Sequence, residues 1–108
     1  MRFFRKERIG SVIQKELSEL LREEFEFDDA LLTVTAVEVS ADLQEAVVKI
    51  SVLPSEKAPR VLELLQKFQP RLQGMLLRKM NIRPMPQIRF EIDHGIERAA
   101  EVEKMLLE

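Results

Sequence analysis

Apolar residues recur along the chain with two different periods, and the switches between them mark the elements. In residues 5–24, RKERIGSVIQKELSELLREE, the residues Ile9, Val12, Ile13, Leu17, Leu20 and Leu21 fall three or four apart. That spacing draws the one-sided stripe of an amphipathic helix. Glu16, Glu19, Glu23 and Glu24 lie mostly off the stripe. Gly10 is a poor helix former and weakens the first turn by up to about 1 kcal/mol. Phe25 and Phe27 follow at the helix exit, placed to close the core there.

The period then drops to two. Residues 31–40, LLTVTAVEVS, and 45–53, EAVVKISVL, are rich in β-branched residues, as strands are. In the second run Ala46, Val48, Ile50 and Val52 share one face, and Val47, Lys49, Ser51 and Leu53 share the other. The short link Ala41-Asp42-Leu43-Gln44 predicts an antiparallel hairpin. Thr33, Thr35, Lys49 and Ser51 predict that one face of the sheet is partly wet. Pro54 ends the second strand.

Helical spacing returns with Val61, Leu62, Leu64, Leu65 and Phe68, and resumes with Leu72, Met75, Leu76 and Met80. Pro70 stands between the two sets. A proline inside a helix removes a hydrogen bond and clashes with the preceding turn, at about 3 kcal/mol. It also pushes the residue before it out of the α region, so the break is expected at Gln69. The prediction is two helices meeting at a corner, with Pro59 in the first turn of one and Pro70 early in the other. Residues 81–86, NIRPMP, form an extended connector. A third strand follows, QIRFEI, with Ile88, Phe90 and Ile92 inward. Asp93 can cap a last helix carrying Ile96, Ala99, Ala100, Met105 and Leu106. The order is α-β-β-α-kink-α-β plus a short C-terminal helix: one α+β domain over residues 1–108, with a three-stranded sheet.

Composition narrows the chemistry. Absence of cysteine rules out disulfides and thiolate metal sites. No apolar run approaches the roughly 20 residues of a membrane span. The basic start is followed by SVIQKELSELL, too charged for the apolar part of a signal peptide. A cytoplasmic protein that does not enter membranes is expected. Catalysis looks poor: the one histidine, His94, sits at a strand-to-helix junction, and there is no nucleophile elbow or phosphate-cradling glycine loop. The carboxylates of EFEFDD, residues 24–29, lack the ligand spacing and turn glycine of a hard-cation loop. Neither a metal nor a nucleotide cofactor is expected.

Charge is more informative. The net charge of −2 hides a segregated pattern. Residues 9–56 hold eleven acidic and three basic residues, whereas residues 57–90 hold eight basic residues and only Glu63 as an acid. Sorting of this kind can give the folded protein an acidic face and a basic face, and a basic segment suits a polyanion partner. Lys67, Arg71, Arg78, Lys79, Arg83 and Arg89 bracket the corner, the connector and the third strand. Arg71 and Arg78 are two helical turns apart and project from roughly one face. Arg5, Lys6 and Arg8 form a second basic cluster. Lys57 and Arg60 read as solubilising charges. Phe68 and Phe90 have core parity, so recognition would rest on charge, backbone and shape instead of base stacking.

Four strings, in this order, resemble the ribosome-binding factor A family: RKERIGSVIQKELSELL, VTAVEVSADLQEAVVKISVL, LLRKMNIRPMPQIRFEID and IERAAEVEKMLLE. They cover nearly the whole chain. The resemblance implies a type II KH-like fold. It also implies binding to small-subunit ribosomal RNA in free, immature 30S subunits, late in maturation and at low temperature. The family replaces the Gly-x-x-Gly loop of KH domains with a helix-kink-helix marked by a small Ala-x-Gly step. In this sequence the aligned step is Phe68-Gln69-Pro70. By position, Arg5, Arg8, Arg78, Lys79 and Arg83 match basic sites of the family pattern, and Arg71 joins them on charge. A non-enzymatic monomer is expected. The alternative is a protein-interaction module that binds a ribosomal protein or another assembly factor through its acidic face.

Overall fold

A computed structural model describes residues 5–95 and 105–106. Helix α1 spans Arg5–Glu24, and strands β1 (Leu31–Val39) and β2 (Glu45–Leu53) follow. A short 3-10 turn at Ser55–Lys57 leads into helix α2 (Ala58–Lys67), helix α3 (Gln69–Met80) and strand β3 (Gln87–Ile92). The rest of the expected C-terminal helix, with Ile96, Ala99 and Ala100, lies outside the described residues. Asp93, the expected cap, accepts the Gly95 N–H at 2.9 Å through Oδ1.

The sheet has the order β1-β2-β3. β1 pairs antiparallel with β2, from Leu31 opposite Leu53 to Val39 opposite Ala46, with a bulge at Thr35. β2 pairs parallel with β3, from Glu45 opposite Gln87 to Ile50 opposite Ile92. A parallel pair needs a crossover, and α2 and α3 supply it. The hairpin turn closes with Leu43 in a left-handed conformation, φ 62°. Ser40 and Asp42 bind the turn: Ser40 Oγ donates to Asp42 Oδ1 at 2.6 Å, and Gln44 N–H donates to the same oxygen at 3.1 Å.

The helices cover one face. Ala46, Val48, Ile50 and Val52 are buried between Val34 of β1 and Ile88 and Phe90 of β3. Ile13, Leu17, Leu20 and Leu21 of α1 pack on them with Val61 and Leu65 of α2 and Leu72 and Leu76 of α3. Burying each such side chain contributes about 1.5–3 kcal/mol relative to exposure. Gly10 is buried where α1 crosses β1, and a Cβ there would stand 3.0 Å from the Val37 carbonyl oxygen. Its role is close approach of helix to strand, which periodicity alone did not predict.

The chain does turn a corner near Pro70, but one residue earlier than the pre-proline rule places it. The break is Phe68, at φ −92° and ψ 5°, while Gln69 and Pro70 are the first residues of α3. Pro70 costs little there, because the first N–H groups of a helix have no partner within it. Phe68 serves both helices: its N–H donates to Leu64 O at 3.1 Å, and its carbonyl accepts the Leu72 N–H at 3.0 Å. Its ring is held edge-on against Phe25 at 5.6 Å, and Phe25 stacks with Phe27 at 6.2 Å. The three phenylalanines close the exit of α1 against the corner.

Candidate nucleic-acid interface

Two glutamines fix α3 to the edge of β3. Gln73 Nε2 donates to Pro86 O at 2.8 Å, and Gln73 Oε1 accepts the Ile88 N–H at 2.8 Å. Gln69 Nε2 donates to Ile88 O at 3.0 Å and to Gln73 Oε1 at 3.2 Å. The two side chains stand in for a neighbouring strand and satisfy backbone groups that would otherwise lack partners. Gln69, expected only as a break point, is thus a structural clamp. At its other end α3 stops at Asn81, in a left-handed conformation whose N–H donates to Leu77 O at 2.9 Å.

On its opposite side α3 meets α1, and here opposite charges come together. Lys79 Nζ lies 3.2 Å from Glu16 Oε2 and 3.4 Å from Glu19 Oε2. The Glu16 carboxylate, then Glu19, raises the Lys79 ammonium above its ordinary value. Arg71 Nη2 reaches Glu24 Oε2 at 3.5 Å. Residue numbers rise along α1 as they fall along α3, so the two helices run antiparallel. The expectation of separate acidic and basic faces is therefore corrected at this seam. Glu16 and Glu19, one turn apart on α1, already carry the spacing needed to hold one cation between them.

The antiparallel arrangement also sets where the other cations fall. The first turns of α1, with Arg5, Lys6 and Arg8, extend beyond the point where the end of α3, with Arg78 and Lys79, meets Glu16 and Glu19. Arg8 is about 12 Å along the α1 axis beyond Glu16. Arg83 follows in the connector, after which Pro86 is buried and β3 begins. Arg5, Arg8, Arg78 and Arg83 are exposed, and among the described residues none of them makes an ion pair. Of Arg5, Arg8, Arg71, Arg78, Lys79 and Arg83, four are thus uncompensated, and two, Arg71 and Lys79, are held by α1.

Four further basic residues are paired locally. Lys57 and Arg60 both bind Asp29, at 3.0 and 2.9 Å, and the Lys57 and then the Arg60 contact hold its carboxyl below the usual aspartate range. Arg89 pairs with Glu91 at 3.2 Å, and Lys49 pairs with the same carboxylate at 3.0 Å, on the face of the sheet away from the helices. Phe90 is buried and Phe68 half-buried, as core parity predicted. No described helix is long and apolar enough to cross a membrane. Among the described residues no three of His, Cys, Asp and Glu converge as metal ligands do.

Comparison with known proteins places this arrangement in context. The sequence profile of the ribosome-binding factor A family matches residues 5–106. A ribosome-binding factor A of Coprothermobacter proteolyticus is 34% identical over 108 residues, covering 98% of this chain and 78% of the relative. One from Synechococcus sp. (strain WH7803) is 38% identical over 102 residues, covering 91% and 73%. The crystal structure of ribosome-binding factor A from Thermus thermophilus superposes with a TM-score of 0.69 at 26% identity, covering 81% of this chain and 94% of that one. A homology model of the Thermus thermophilus factor, fitted into a cryo-electron-microscopy map of a 30S complex, superposes with a TM-score of 0.66 at 26% identity, covering 79% and 91%. The three-stranded sheet with its two-helix crossover is the KH-like fold of these structures. A profile match over nearly the whole length, together with relatives above 30% identity and the same fold, means that the chain belongs to the ribosome-binding factor A family.

Proposed function

We propose that this protein binds the ribosomal RNA of immature small subunits and supports their late maturation, rRNA processing and growth in the cold, without catalysing a reaction itself. Family membership supports the ribosome as partner, as does the 30S complex in which the Thermus thermophilus factor was fitted. The observation that carries the RNA part is that Arg5, Arg8, Arg78 and Arg83 are exposed and make no ion pair among the described residues. Cations already neutralised by internal carboxylates release few counterions on binding, whereas free ones supply the salt-sensitive share of affinity for a polyanion. The Phe68-Gln69-Pro70 corner, with Arg71 beside it, would orient α3 toward the RNA.

The test is binding of the monomeric protein to purified immature small subunits across a range of salt. Arg78→Glu with Arg83→Glu should weaken binding and lower the slope of log affinity against log salt by about 0.7–0.9 per lost phosphate contact. An unchanged slope would remove these residues from the interface.

A second reading rests on the groove between the 26–29 loop and α2, lined by Glu26, Asp28, Asp29 and Glu63 with Arg60 and Lys67 among them, so that acids outnumber bases. A basic segment of a ribosomal protein or assembly factor would fit that charge. Association that survives RNase treatment would favour it over the RNA reading.

A further inference from the structure

Gly74 sits in the middle of α3, and the fold gives no internal reason for a glycine there. Its backbone is not left-handed, and a Cβ built on it would meet nothing within 4 Å. Glycine is nonetheless the poorest helix former after proline. On the helix surface Pro70 and Arg78 lie one turn away on either side of Gly74, with Arg71 and Leu77 flanking it. Those four side chains are exposed, so they border a bare strip of helix backbone.

Charge gives that strip a direction. Toward α1, Lys79 is shared by two carboxylates and Arg71 is held by a third. That flank carries more negative than positive charge and repels a phosphate. Arg78 projects from roughly the same face as Arg71, two turns on, but is an exposed guanidinium with no ion pair among the described residues. Guanidinium groups bind phosphate through two parallel hydrogen bonds, which a chain passing close to the helix can accept.

Building on the ribosome-binding reading above, we propose that the sugar–phosphate backbone of the bound RNA crosses α3 at Gly74. It lies in the gap between Pro70 and Arg78 and is kept off α1 by Glu16, Glu19 and Glu24. Arg78 holds a phosphate directly. Arg71, about 10 Å away along the helix axis, can exchange Glu24 for another. The missing side chain at position 74 is then a clearance for the ligand.

The test pairs stability with affinity, because the two move in opposite directions. Gly74→Ala should raise the melting temperature by about 2–6 °C, since it adds helix propensity without a clash. Gly74→Leu should remain folded and weaken binding to immature small subunits by about tenfold or more, with Arg78→Glu weakening it alongside. If Gly74→Leu binds within about twofold of the parent while Arg78→Glu loses binding, RNA is gripped here but does not cross at Gly74, and the proposal is overturned. If the parent itself shows no salt-dependent binding to small subunits, the underlying functional reading fails instead. A defect of Gly74→Leu that persists with RNase-stripped subunit proteins would assign the strip to a protein partner and likewise overturn the proposal.

Discussion

Thr35 Oγ1 donates a 2.6 Å hydrogen bond to Asp93 Oδ2, tying the bulge of β1 to the residue that ends β3, across the whole width of the sheet. The two are 58 positions apart in the chain. The bulge is what allows the contact, because the extra residue disrupts the regular ladder and turns Thr35 aside from the β1–β2 register. Asp93 uses its other oxygen to accept the Gly95 N–H, so one carboxylate holds the β1 bulge and the chain just beyond β3 together. Thr35→Val keeps the shape and removes the donor. It should lower unfolding free energy by about 1–2 kcal/mol in urea titration, with an unchanged m-value.

The same carboxylate makes stability sensitive to acid. The Thr35 hydroxyl, then the Gly95 N–H, hold Asp93 below the ordinary aspartate value of 3.8. Asp29 and Glu91 are lowered as well, chiefly by Lys57 and by Lys49 respectively. A carboxyl whose folded pKa is depressed binds fewer protons in the folded state. Its contribution is complete above the unfolded pKa and is lost as pH falls through the folded one. Melting temperature should therefore be flat near neutrality and fall between about pH 5 and pH 2. Asp93→Asn should shallow that fall; a profile identical to the parent's would exclude the residue as a contributor.

Gln73 bonds both the Pro86 carbonyl and the N–H of buried Ile88. Gln73→Leu would leave a donor and an acceptor unpaired at the α3–β3 seam, each costing about 1–3 kcal/mol when water cannot replace the partner. We expect a loss of about 2–4 kcal/mol by denaturant unfolding. Faster exchange of the Ile88 amide should accompany it.

The two helical glycines should respond oppositely to substitution. At Gly10 a Cβ would press on the Val37 carbonyl at 3.0 Å and touch Val39 Cγ2 at 3.5 Å, so Gly10→Val should overpack the α1–β1 crossing and cost about 1–3 kcal/mol. At Gly74 the space is open, and Gly74→Ala should stabilise by about 0.5–1 kcal/mol. Calorimetry on the two variants would check both signs.

Glu16 and Glu19 occupy a lysine that RNA phosphates could otherwise use. Glu16→Gln with Glu19→Gln should free Lys79 and tighten binding to small subunits at low salt. The salt slope should steepen by about 0.7–0.9 for each additional phosphate that Lys79 neutralises. Titration at several salt concentrations gives both numbers. Lys79→Glu is the poorer probe, since it would put three carboxylates at one spot and confound folding with binding.

The element order was legible because its signals are local. The spacing of Ile13, Leu17, Leu20 and Leu21, the alternation of Ala46, Val48, Ile50 and Val52, and the hairpin link at residues 41–44 each act within a few residues of chain. Pro70 likewise announced a corner, since its ring and missing N–H act on the nearest turn. Phe68, not Gln69, became the break because Phe25 and the edge of β3 also hold the corner, and both are remote in sequence.

By itself, the sequence determined the elements, the side of each that faces the core and the existence of an unusually basic middle segment. Only the tertiary structure decided which of those basic residues are free. Ion pairing depends on distance in space, and the antiparallel docking of α1 on α3 set Glu16, Glu19 and Glu24 against Lys79 and Arg71 while leaving Arg78 and Arg83 without carboxylates among the described residues. The same holds for the two glycines. Alike in sequence, one is buried under a strand and the other lies open on a helix, because burial is a property of the packed whole.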